Sequence, residues 1–131
     1  MYRSRIVPQR DLAGALRRVD MPARYTGGEF GQVHKTGHDI YRVGLTYPDL
    51  NEIGMSNTAI KILYGMVNAI EGVAAERVFV PAPDFEAELR EHSIPLYTLE
   101  DGRPLRSLDL LAVSFGFELL ATNVLNLLDL G

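Results

Sequence analysis

Residues 41–70 read YRVGLTYPDLNEIGMSNTAIKILYGMVNAI. The first seven, Tyr41 to Tyr47, are apolar and β-branched enough to extend as a strand, and Pro48 stops them because it has no amide to give a ladder. A polar loop, PDLNEIGMS, follows. From Ser56 the apolar spacing becomes that of a helix running to about Ile70, with Ile60, Leu63, Tyr64 and Val67 on one face and Ile62, Met66 and Ala69 widening it. Strand, loop and helix in this order open an α/β domain. Ligands of such sheets collect outside the carboxyl ends of the strands, so the loop from Pro48 to Ser56 is where a site is expected.

Working outward, Gly72 is a helix stop, and Glu76 to Ala82 (ERVFVPA) is a second strand-like run closed by Pro81 and Pro83. Asp84 to His92 carries acids early and Arg90 and His92 late, the polarity that suits a helix dipole. Pro95 to Leu99 is a brief extended piece, Asp101-Gly102 marks a turn, Leu108 to Phe115 reads as a buried strand, and Glu118 to Leu130 as a helix. Three strand–helix units predict a mostly parallel, Rossmann-like sheet with right-handed crossovers. The last helix has no strand after it, so the sheet reads as truncated. Upstream, Leu12, Ala15, Leu16 and Val19 predict a short helix over 11–19 with Asp11 as its N-cap. An extended run from Glu29 to Lys35 lies between the turns Gly27-Gly28 and Thr36-Gly37. The division is therefore an N-terminal helix and extended arm over 1–40 and a Rossmann-like α/β domain over 41–131.

A chain of 131 residues, 47% hydrophobic and 23% charged, is one domain's worth with an affordable core. Its net charge of -4 argues against nucleic acid as a partner, although residues 1–24 carry six arginines against Asp11 and Asp20 and are net +4. That basic arm is expected to pack on the acidic body. There is no cysteine, which removes disulfides, thiolate zinc sites, iron–sulfur ligation and cysteine nucleophiles from these residues. No segment approaches the roughly 18 apolar residues of a membrane span, and the N-terminus lacks the apolar stretch of a secretory signal, so a cytoplasmic protein is expected.

The first loop is not a phosphate cradle, since Gly54 is its only glycine where dinucleotide folds and P-loops need several. Ser114 stands where a receiver domain would carry an aspartate. His34 and His38 are spaced i, i+4 in a stretch whose glycines oppose a helix, and His92 is isolated, so no metal site is expected. Glu86 and Glu88 fall on different faces of their helix. No nucleophile, base and orienter assemble, so no catalytic residue is assigned. What remains is a crevice between Pro48–Ser56 and the segment Ser114-Phe115-Gly116-Phe117-Glu118, if the two strands that carry them lie side by side. Phe115 and Phe117 are expected to serve packing, within the core or against another domain. Ser56 as an N-cap and Gly54 as a turn residue are the plain alternatives to a binding role.

Asp49-x-Asn51-x-x-Gly54 is similar to the D-x-H-x-x-G signature of cobalamin-binding domains, with asparagine in place of the metal-ligating histidine. The wider pattern is PARYTGGE at 22–29, YPDLNEIGMSN at 47–57, AAERVFVPAPD at 74–84, LEDGRPLRSLDLLAVSFGFE at 99–118 and TNVLNLLDLG at 122–131. In this order it resembles the N-terminal region of a family of uncharacterised bacterial radical S-adenosylmethionine (SAM) proteins with a cobalamin-binding-like domain. The resemblance covers about residues 20–131. It implies the noncatalytic front domain of a longer protein, whose downstream barrel would carry the C-x-x-x-C-x-x-C motif, the iron–sulfur cluster and S-adenosylmethionine. With the signature at Asp49, Asn51 and Gly54, the neighbouring Glu52 and Ser56 and the facing Ser114, Gly116 and Glu118, these eight become the candidate residues toward a cobalamin, which Asn51 could not ligate as an imidazole would. The other reading is a structural or interaction domain that has lost the cofactor. The partners to expect are the downstream barrel and, through a bare sheet edge, a second copy of the chain.

Overall fold

The computed structural model describes residues 9–131. Three strands, β1 (Tyr41–Thr46), β2 (Val73–Arg77) and β3 (Leu110–Val113), form an all-parallel sheet in the order β2-β1-β3. Among the described residues five α-helices surround it: α1 (Gln9–Leu16), α2 (Asn51–Ser56), α3 (Thr58–Asn68), α4 (Pro83–Glu91) and α5 (Ala121–Leu130). The class is α/β, as the alternation of apolar periods predicts, and the small open parallel sheet is consistent with a Rossmann-like domain. Tyr41 stands opposite Val73 and Leu45 opposite Arg77, while Val43 stands opposite Leu110 and Thr46 opposite Val113.

Alternation along the strands sends side chains to two cores. Val43, Leu45 and Ala75 meet Ile60, Tyr64 and Val67 of α3 on one face. On the other, Phe85 and Leu89 of α4, Leu127 and Leu130 of α5, and Ala15 of α1 pack with Val78, Val80, Leu96 and Tyr97. Tyr25 stacks on Phe85 with ring centroids 3.9 Å apart, which fastens the N-terminal arm to this second core. The two helical layers on opposite faces follow from the order β2-β1-β3: the chain crosses to one side of β1 through α3 and returns past it through α4.

Several boundaries differ from the expectations. The single helix from Ser56 to Ile70 is two helices, because Asn57 leaves helical geometry (ψ 118°) and its side chain accepts from Ile60 N at 3.1 Å. Asn57, not Ser56, is therefore the N-cap of α3. Most of the presumed loop is α2, so the true connection after β1 is only residues 47–50. The second strand is displaced toward the N-terminus, starting directly after Gly72, whose φ of +74° supplies the left-handed turn. Val78 to Ala82 are buried without lying in a named strand, since apolarity marks burial, and a ladder needs amides on a neighbour. The third strand is shorter than Leu108 to Phe115, and α5 is preceded by a separate short turn of 3-10 helix over Glu118–Leu120.

The expected extended run from Glu29 to Lys35 is not a strand. Its Glu29–Gln32 turn is closed by Gln32 N donating to Glu29 O at 3.1 Å with Gly31 at φ +85°, and its remaining anchors are side-chain bonds. Tyr64 Oη accepts from Val33 N at 2.8 Å, and Lys35 Nζ donates to Asn68 O, Ile70 O and Val73 O. The first helix begins before Asp11, so Asp11 is within it and is not the cap. Of the basic arm, Arg3 and Arg5 lie outside the described residues. Arg18 and Arg24 pair with Glu88 and Glu52 of the body. No helix of the described residues is long and apolar enough to cross a membrane.

Candidate functional site

The pairing of β1 with β3 brings the two suspected walls together. Ser114 N donates to Thr46 O at 2.8 Å, and Asn123 Nδ2, near the start of α5, donates to Pro48 O at 2.9 Å. With strand order 2-1-3 this is the point where successive connections leave in opposite directions, the usual seat of a ligand in an open α/β sheet. At its floor Thr46 is fully buried, and its hydroxyl has no hydrogen-bond partner among the described residues.

The eight implied residues do not converge on it as a set. Asp49 turns its carboxylate back to Leu50 N at 2.7 Å, and its carbonyl accepts from Val80 N. Asn51 lines a cavity of about 10 Å³ among Arg24, Tyr25, Phe79 and Phe85, with its amide nitrogen buried and unpartnered. Glu52 accepts from Arg24 Nε at 2.6 Å, and this bond holds its carboxyl below the usual carboxylate range. A Cβ at Gly54 would stand 2.2 Å from the ring of Phe79, so the glycine there makes room for a neighbouring side chain. Ser56 Oγ donates to Glu52 O, one turn back in α2. Beyond β3, Ser114 is half-buried, while Gly116 and Glu118 are exposed. Phe115 and Phe117 are each 53% exposed, so neither belongs to the core.

These contacts test whether the residues fit a corrinoid, and the first wall does not. A cavity of about 10 Å³ at Asn51 cannot admit a corrin ring. Asp49, Glu52 and Ser56 are bonded within the chain, and Gly54 is filled against Phe79. Glu52 and Ser56 are exposed but engaged within the chain, whereas Gly116 and Glu118 are exposed beside half-buried Ser114.

The polar chemistry that sequence reasoning missed lies on β2. Arg77, at its carboxyl end, donates from Nε to Glu100 at 2.6 Å and from Nη2 to Glu29 at 3.1 Å, and its guanidinium sits 4.6 Å over the Tyr64 ring. Burial pushes the Tyr64 hydroxyl up to about 12. Glu76, 1% exposed, accepts from Thr98 Oγ1 at 2.8 Å and faces Arg42 and Arg103, each at 3.4 Å. Burial raises its carboxyl pKa despite these cations. The one available signal was charged residues at strand positions beside a continuous apolar run. A cavity of about 410 Å³ also opens between Leu12 and Leu16 of α1 and the turn Thr98–Gly102, with Tyr25 and Tyr97 at its side.

His34 Nδ1 lies 3.1 Å from Asp101, His92 contacts Glu88, and no group of three ligating side chains occurs among the described residues. Glu86 and Glu88 serve separate pairs, with Arg90 and Arg18.

A model of the family described as "Radical SAM proteins, N-terminal" matches residues 59–131, more than half of the chain. This chain belongs to that family. The matched region runs from α3 to the end of α5 and includes both β2 and β3, whereas Asp49 and Asn51 precede it. Comparison with curated proteins and with solved structures gave no match.

Proposed function

We propose that the chain is a noncatalytic N-terminal domain that supports the radical SAM domain of the same protein. The match to the N-terminal family over residues 59–131 carries this reading. It is supported by the sequence having no cysteine, so the thiolates that hold an iron–sulfur cluster must come from elsewhere in the protein. Exposure of Phe115, Phe117 and Leu119 beside the third strand supports it further, because contiguous apolar surface of this kind accompanies a protein interface. The test is S-adenosylmethionine cleavage by the full-length protein after cluster reconstitution. Replacing Asp49, Ser114 or Glu118 by alanine is expected to leave the cleavage rate within about twofold. A loss of about 100-fold in a variant that keeps its fold would give these residues a direct part in the chemistry.

A second reading, a corrinoid bound at the β1/β3 crevice, is favoured by one observation: the carboxyl ends of the two strands are adjacent at the switch point, over the unpartnered Thr46 hydroxyl. Ser114, Gly116 and Glu118, beyond the carboxyl end of β3, are the residues that could hold such a cofactor. Its metal would have no histidine from Asp49–Ser56.

A further inference from the structure

The two edges of the sheet are chemically unlike. On β2, Val78 N donates to Leu45 O and Tyr41 N to Gly72 O, so the even-numbered residues face β1 and Val73, Ala75 and Arg77 face outward. That outer edge is closed. Val73 O accepts from Lys35 Nζ, Ala75 N donates to Asn68 Oδ1 at 2.9 Å, Arg77 N donates to Glu100 Oε2 at 2.6 Å, and Arg77 O accepts from Leu99 N at 2.8 Å. No further strand can add there without breaking buried bonds. On β3, Ser114 N donates to Thr46 O, so Leu110 and Ala112 also face β1, and Leu111 and Val113 turn their amides and carbonyls outward. No hydrogen bond among the described residues reaches these outward groups.

Crossover handedness then fixes what the free edge is for. The β2–α4–β3 connection moves the chain from one side of β1 to the other with α4 on the face opposite α3. Helix α5 lies on the same face as α4: Leu127 and Leu130 share its core, Arg90 bonds Asp129 and Asn126, and Asn126 bonds Glu86. A right-handed crossover on that face continues in the same direction, outward past β3. We infer that the free edge of β3 receives a fourth, parallel strand from the polypeptide that follows α5 in the full-length protein. Exposed Leu128 on α5 gives that strand's side chains an apolar cover. The inference rests on the reading of the chain as an N-terminal domain. It assigns β3 to pairing within one polypeptide rather than to a dimer.

Hydrogen exchange on the full-length protein, resolved to single amides, tests it. The Leu111 and Val113 amides are expected to exchange at least about 100-fold more slowly than unprotected amides, at every protein concentration. Val113→Pro, which removes only an outward donor, is expected to speed exchange at Leu111 by about tenfold or more. Unprotected exchange at both amides would overturn the inference. So would protection that disappears on dilution, because it would identify a second copy as the occupant. A gene lacking a radical SAM domain beyond residue 131 would defeat the domain reading itself. Unprotected amides in a protein that has one would defeat the strand pairing alone.

Discussion

Gly54 shows how a motif position can be explained by its neighbours. Because a Cβ would stand 2.2 Å from two ring atoms of Phe79, Gly54→Ala is expected to cost about 1–3 kcal/mol, read as a lowered denaturant midpoint. Much of that cost should be recovered when Phe79→Leu is added. Asp84 offers a residue-scale test in pH. Its Oδ2 accepts from Asp20 N at 3.0 Å and its Oδ1 from Phe85 N at 2.8 Å, and these amides, Asp20 first, depress its pKa. A depressed folded pKa gives stability that is present above the unfolded value near 3.9 and lost as pH falls through the folded value. Asp84→Asn is therefore expected to destabilise by about 0.5–1 kcal/mol at pH 7, with the gap to wild type closing in acid. A constant gap between neutral and acid pH would contradict the assignment. At this scale the sequence was least informative. Asp49, Asn51 and Glu52 directly follow the first strand, but nothing local shows that Arg24, 28 residues away, takes Glu52, or that Asn51 lines the same small cavity as Tyr25.

Elements were more legible, because periodicity reports burial directly. The run Tyr41–Tyr47 gave β1 almost to the residue, and the charge gradient from Asp84 to His92 gave α4. The missed break between α2 and α3 has a local cause: Asn57 competes with the helix for Ile60 N, and a continuous apolar pattern across the break conceals it. Asn57→Ala is expected to cost about 1 kcal/mol by thermal or urea unfolding. An unchanged midpoint would show that packing of Ile60, Tyr64 and Val67 fixes the start of α3 without the cap. The second strand was misplaced because its ladder residues, Val73 to Arg77, are less apolar than Val78 to Ala82. The latter run is buried by the second core and by Phe79 in the first.

At the scale of the molecule, the β2 edge joins fold and arm. Arg77, Glu100 and Glu29 tie the strand to the 97–104 segment and to the N-terminal arm, and Lys35 ties the arm to the end of α3. Removing one member of a buried pair leaves an uncompensated charge, so Arg77→Met is expected to cost about 3–5 kcal/mol. The double change with Glu100→Leu should restore much of it, as shown by a double-mutant cycle in urea. Such long-range pairing is invisible in a single sequence, which shows the charges without their partners. The class of fold and the family were legible because both are carried by order and pattern along the chain. Whether the suspected crevice could hold a corrinoid was not, since that depends on side-chain direction. The most direct measurement is titration of the full-length protein with hydroxocobalamin while the corrin absorption bands are followed. A supporting domain whose first wall is committed to its own packing predicts unchanged bands and no retention of the corrinoid on gel filtration. Stoichiometric retention with shifted bands, abolished by changes at Ser114 and Glu118, would contradict it.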